Sequence, residues 1–222
     1  MAKAWRLSLF GWLLASGFTL AGGAALAVPF PQSPSLAELA DYYCIAPDGD
    51  HRMTWTRAQQ DGFVSLRPED VPQAGLPGIH DDTLRGYRRV SVDGEFRVFT
   101  AATWIRSPDQ GTTYYRWCWV SSSRADRGPV DAELQGLLST RGFRVGPVRM
   151  FAWIPRPDGS LEPVSRRVYM RQGNELARTQ GLRQLTTRQY EDGVFIGYAS
   201  PRDEATYRGF DWRGPDPVPR PD

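Results

Sequence analysis

The sequence predicts an α+β domain: an antiparallel β-sheet built from hairpins, with two or three helices packed on it and one disulfide. Three observations carry this reading. Runs rich in Val, Phe, Thr, Tyr and Trp recur after Gly86 and are joined by turns such as Ser107-Pro-Asp-Gln-Gly111 and Pro155-Arg-Pro-Asp-Gly159. Helical spacing is confined to a few short stretches between them. Only two cysteines occur, Cys44 and Cys118. At 222 residues, with 41% hydrophobic and 23% charged side chains, the chain is long enough for one domain with a real core.

The amino terminus has the three parts of a secretory signal peptide over residues 1–27. Lys3 and Arg6 precede an apolar run from Leu7 to Leu20, and small residues follow, ending in Ala25-Leu26-Ala27. An uncleaved membrane anchor is the competing reading, and Gly11, Gly17, Gly22 and Gly23 weaken that run as a helix. Lys3 and Arg6 are also the only charged side chains before Val28, so they account for the whole formal charge of +2. The remaining chain is neutral and carries no second apolar run of spanning length, which predicts no membrane span after cleavage.

Residues 28–200 read as a single domain. Leu36, Leu39, Ala40 and Tyr43 lie at i, i+3, i+4, i+7, a helix ending near Cys44 behind the caps Ser33 or Ser35. Thr54 to Gln60 is a second short helix stopped by Asp61-Gly62. Arg67 to Gly86, with Pro68, Pro72 and Pro77, is a long loop. Glu95–Ile105 and Thr112–Val120 form a hairpin. Asp131–Thr140 is a helix with Leu134, Leu137 and Leu138 on one face. Pro147–Ile154 and Leu161–Met170 read as strands, with Gly173-Asn174 as a turn. Leu182–Tyr190 and Val194–Ala199 make the last hairpin, and residues 201–222 are a flexible tail rich in Pro, Arg and Asp.

An even cysteine count in an exported chain predicts a Cys44–Cys118 disulfide, against two separate thiols as the alternative. A bridge across so long a loop contributes about 4 kcal/mol by chain entropy. Strand alternation puts Tyr115, Trp117 and Trp119 on one face and Cys118 on the other. The three aromatics are therefore either a second core layer or a binding platform, joined in the latter case by Arg85, Arg88 and Arg89.

Asp48-Gly-Asp-His51 and His80-Asp-Asp82 have the look of metal or acid–base clusters, but Asp48-x-Asp50 lacks the further ligands of a calcium loop. Solvated polar loops are the plainer reading, and no metal or other cofactor is expected. No Gly-x-Ser-x-Gly elbow and no phosphate-cradling glycine loop is present. A neutral chain lacks the positive field that nucleic-acid binding needs.

The layout of signal peptide, cysteine-terminated first helix (Cys44) and second cysteine in an aromatic strand (Cys118) resembles small uncharacterised exported bacterial proteins. That resemblance implies export and a disulfide-tied domain and says nothing of mechanism. The expected function is a non-enzymatic periplasmic or secreted binding domain for an envelope component or protein partner, with contacts through the 67–86 loop and the aromatic face. The alternatives are a small exported hydrolase using carboxylates with His51 or His80, and a disulfide-stabilised structural component of the envelope.

Overall fold

A computed structural model of the chain describes residues 34–67, 70–71, 83–108 and 111–210. The expected signal peptide at residues 1–27, His80, most of the 67–86 loop and residues 211–222 of the expected tail lie outside them. The first helix, α1 (Leu36–Ala40), starts on a reciprocal cap in which Ser35 and Glu38 satisfy each other's backbone N–H groups. It continues as one wider π turn, Asp41–Ile45, and Leu36, Leu39, Ala40, Tyr43 and Cys44 all face inward. Helix α2 (His51–Gln60) begins three residues earlier than its periodicity suggests, because Asp50 accepts from the backbone N–H groups of Arg52 and Met53.

Two edge residues, β1 (Val64–Ser65), lead to β2 (Arg85–Ser91), β3 (Gly94–Ser107) and β4 (Gly111–Ser122). After helix α3 (Arg127–Leu137) come β5 (Phe143–Val145), β6 (Val148–Pro155) and β7 (Leu161–Pro163). Helix α4 (Arg166–Gln180) is followed by β8 (Arg183–Tyr190), β9 (Gly193–Arg202) and the single turn α5 (Glu204–Arg208).

All nine strands form one antiparallel sheet in the order β1-β2-β3-β4-β9-β8-β6-β5, with β7 also paired to β6. This corrects the expected α+β domain. The sheet dominates, and the helices of the described residues are short elements laid on its faces rather than a layer equal to it. The β4–β9 and β6–β8 pairings join segments far apart in sequence, so local periodicity shows the hairpins and not the continuous sheet.

The stretch expected as a strand from Leu161 to Met170 is a strand only over β7, and the rest of it, with the turn expected at Gly173-Asn174, is corrected. Ser165 accepts from the Val168 N–H and starts a helix, which Gly181 ends at φ 66°. Tyr169, Leu176 and Ala177 form its inward side, and Gly173 lies under the Tyr169 ring within that helix. The expected tail is shorter as well. Strand β9 runs on to Arg202, and Tyr207 of α5 is buried with its ring 4.8 Å from Tyr114.

The sheet has two unlike faces. The helical face carries Val98, Cys118, Val120, Ile196, Tyr198, Leu185 and Phe151 in register, buried against α1, the π turn, α2 and α3. The disulfide Cys44–Cys118 joins the π turn to β4 here, with Cα atoms 5.4 Å apart across 74 positions of sequence. The indole N–H of Trp55 donates to Thr100 Oγ1 of β3 at 2.7 Å, which satisfies the one polar atom of this large buried side chain. The opposite face carries Tyr115, Trp117 and Trp119 and is called the open face below. No described helix is long and apolar enough to cross a membrane.

Candidate binding face

The Asp48-Gly-Asp-His51 segment is a brace rather than a metal or acid–base cluster. Asp48 takes the left-handed conformation at φ 51°, and Gly49 follows at φ 67° with Ser200 and Arg116 close behind it. This turn aims the Asp48 carboxylate at the end of β8 and β9. Arg183 grips it with two hydrogen bonds, Nε to Oδ1 at 2.6 Å and Nη2 to Oδ2 at 2.7 Å. The hydroxyls of Tyr198 and Ser200 donate to Oδ1 at 2.6 and 2.9 Å, and Arg202 Nη2 reaches Oδ2 at 3.2 Å. Burial works against the ionised carboxyl, but the hydrogen bonds and charge of Arg183, together with Arg202 and Tyr198, hold it below the ordinary carboxylate range. Asp50 is spent as the cap of α2.

His51 is 0% exposed, and its Nε2 lies 2.9 Å from the Trp117 carbonyl, to which it donates. Burial, with the nearby Arg116 charge, pushes its pKa down to about 3, so the ring is neutral. Its neighbours are the rings of Trp55 and Phe210, and Arg116 lies over Phe210 at 4.2 Å. A residue so enclosed cannot reach a substrate, which removes the histidine from the hydrolase alternative; His80 is not among the described residues. Among the described residues no three His, Cys, Asp or Glu side chains gather as a metal site would require.

The aromatic strand divides between core and surface. Tyr115 is 2% exposed, packed with Ala152, Ile154, Ala177 and Leu182 beneath α4. Trp119 is 4% exposed, covered with Phe99 and Ala101 by Val71, Leu66 and Leu84. Two glycines admit this cover. A Cβ on Gly86 would lie 2.9 Å from Val71, and one on Gly197 would lie 2.7 Å from the Trp119 indole. Trp117 stands between the two covers, half-buried, and stacks on Trp119 with ring centres 5.5 Å apart and planes 4° from parallel. The platform of three exposed aromatics thus reduces to one accessible ring backed by a buried one.

The three candidate arginines do not form a single patch either. They alternate along β2, so Arg88 points from the open face and Arg85 and Arg89 from the other. Arg89 Nη1 donates to the Asp61 carbonyl and Arg85 Nη1 to the Leu84 carbonyl, each at 2.9 Å, which gives both a local structural role.

What the sequence reading missed is the row in which Arg88 stands. Register places Arg88, Arg97, Ser121, Phe195 and Arg188 side by side across β2, β3, β4, β9 and β8 on the open face. Arg88 and Arg188 are exposed, and Arg97, Ser121 and Phe195 are half-buried. Phe195 stacks on Phe99 at 6.0 Å and meets the edge of Tyr190 at 5.8 Å, while Arg188 lies over the Tyr190 ring at 4.5 Å. A recess of about 160 Å³ opens beside the row, between Glu95, Arg97, Ser121, Asp192 and Phe195. The strip therefore combines aromatic rings, guanidinium donors and two carboxylates, with Phe195 at the margin of the Val71–Phe99–Trp119 cluster. The chain matches no protein-family model, no curated protein and no solved structure.

Proposed function

We propose that the protein is an exported, non-enzymatic binding domain, periplasmic or secreted, that contacts a protein partner of the cell envelope through the strip Arg88–Arg97–Ser121–Phe195–Arg188. The observation that carries this reading is the row itself: five strands contribute neighbouring side chains to a face that α4 and the Leu66–Val71–Leu84 stretch cover elsewhere. Rings backed by other rings give a rigid apolar contact at small entropic cost, and arginine is favoured where a carboxylate must be gripped at an interface. The partner's contact segment therefore carries carboxylates beside an apolar side chain. The Cys44–Cys118 bridge supports an exported chain in an oxidising compartment.

The test is affinity capture from a bacterial envelope extract, using the full chain processed by the host, with mass spectrometry of the retained proteins. A specific partner retained by the unaltered protein and lost from an Arg88→Ala/Phe195→Ala double variant supports the proposal. An identical set of retained proteins for both refutes it. The same sample reads the amino terminus, which this proposal sets at Val28.

A further inference from the structure

On the helical side of the sheet, away from the strip, the first two turns of α3 and the β5–β6 hairpin line a recess of about 250 Å³ that holds three arginines and one carboxylate. Asp131 of α3 is nearly buried, and its Oδ1 accepts from the hydroxyl of Thr187 in β8 at 2.5 Å. Its other oxygen is shared by Arg127 Nε at 3.9 Å and Arg149 Nη1 at 3.7 Å, both longer than a hydrogen bond. Arg144 stands directly opposite Arg149 in the β5–β6 register, a like-charge cross-strand pair that costs stability when nothing neutralises it. Among the described residues Arg144 has no carboxylate partner, and the buried Arg149 Nε has no hydrogen-bond partner. Three guanidinium groups against one carboxylate leave two positive charges around one small recess walled by Pro147, whose carbonyl accepts from Arg127 Nη1 at 3.5 Å.

We propose that this recess binds a phosphate-class dianion, taken as inorganic phosphate or as the phosphate group of a monoester. A dianion cancels the surplus charge, and its oxygens accept from guanidinium forks in the paired geometry that arginine offers. The volume is ample for a phosphate group.

The experiment is calorimetric titration of the whole protein at low ionic strength with inorganic phosphate and, separately, with glycerol 3-phosphate. Sodium chloride at matched ionic strength is the control. Variants are Arg144→Gln and, on the distant exposed surface of α4, Arg178→Gln. Saturable binding of phosphate, weakened at least tenfold by Arg144→Gln and unchanged by Arg178→Gln, is the expected result. Equal binding of the ester shows that the phosphate group alone is recognised, and binding of inorganic phosphate only shows a closed anion site. Either pattern supports the proposal. No saturable heat beyond the chloride control, or equal affinity in Arg144→Gln, overturns it. Arg144 is exposed, and unchanged thermal unfolding of its variant in chloride separates lost binding from lost fold.

Discussion

The helical face and the open face of the same nine strands are covered by different means. On the helical face, α1, the π turn and α2 are fastened to the strands by a covalent bridge at Cys44–Cys118 and by the ion-paired brace from Asp48 to Arg183 and Arg202. A buried indole hydrogen bond from Trp55 adds to these. On the open face, α4 and the Leu66–Val71–Leu84 cover rest mainly on apolar packing, to which the Tyr169 hydroxyl adds a hydrogen bond to Gln184 and the Leu66 N–H one to the Gly86 carbonyl, and a five-strand row runs along their margin. The difference teaches that the strongest fastenings concentrate under α1 and α2, away from the strip, which leaves the strip able to present a surface. Breaking each fastening in turn tests that division.

The largest effect is expected at the disulfide. Its loop of 74 positions corresponds to about 4 kcal/mol of chain entropy removed from the unfolded state. A Cys44→Ala/Cys118→Ala double variant should lose about that much in urea unfolding. A loss under about 1 kcal/mol would mean that the noncovalent fastenings of the helical face suffice by themselves.

The Asp48 brace comes next. Replacing Asp48 by Ala leaves Arg183, only 14% exposed, without its two-pronged partner and removes the acceptor of the Tyr198 and Ser200 hydroxyls. A loss of about 2–3 kcal/mol is expected, since hydrogen bonds to a charged group are the stronger kind and their buried donors stay unmet. Because the folded carboxyl titrates below its ordinary value of 3.8, its contribution is complete above that pH. It disappears as the pH falls through the folded value.

His51 acts in a different pH window. Its folded pKa is depressed from 6.5 to about 3, so the unfolded chain takes up a proton that the folded chain refuses. Stability from this residue is therefore full above pH 6.5 and declines as the pH falls towards 3, by about 1.4 kcal/mol per unit. His51→Gln keeps an amide donor for the Trp117 carbonyl and removes the titration. Urea midpoints between pH 7.5 and about 4.5 should fall more steeply for the unaltered protein than for this variant. Parallel curves would show that the ring takes up protons in the folded state.

Part of this division was legible in the sequence. The cysteine count and the period-two run Tyr114–Val120 placed the disulfide on one face of β4 and the aromatics on the other, because strand alternation is a local property. Alternation also separates Arg88 from Arg85 and Arg89, a distinction that treating the three as one basic cluster overlooked. Helix α4 was hidden by Gly173-Asn174, a turn signal that the Ser165 cap, the Gly181 stop and the apolar spacing of Tyr169, Leu176 and Ala177 override together. The strip was beyond reach. Its five members come from five strands, and neither the β4–β9 pairing nor the cover over Trp119 leaves a local mark on the chain. For His51, the polar surroundings suggested chemistry, whereas the fold buries it beside Trp55 and Phe210.

The smallest effect on stability should fall on the strip, and it sharpens the comparison most. Arg88 and Arg188 are exposed on the open face, and the contact of Arg188 is with the Tyr190 ring. Alanine at both positions removes surface charge without opening a cavity, so unfolding should shift by less than about 0.5 kcal/mol per site. Arg89 is the matched control one residue away: its side chain turns to the helical face and donates to the Asp61 carbonyl beside the stop of α2. Arg89→Ala should cost more, about 1 kcal/mol, because a part-buried carbonyl loses its donor. Partner capture should respond in the opposite order, abolished by Arg88→Ala/Arg188→Ala and retained by Arg89→Ala. If Arg89→Ala instead removes capture while the pair leaves it intact, the contact surface lies on the helical face and the division between the faces is reversed.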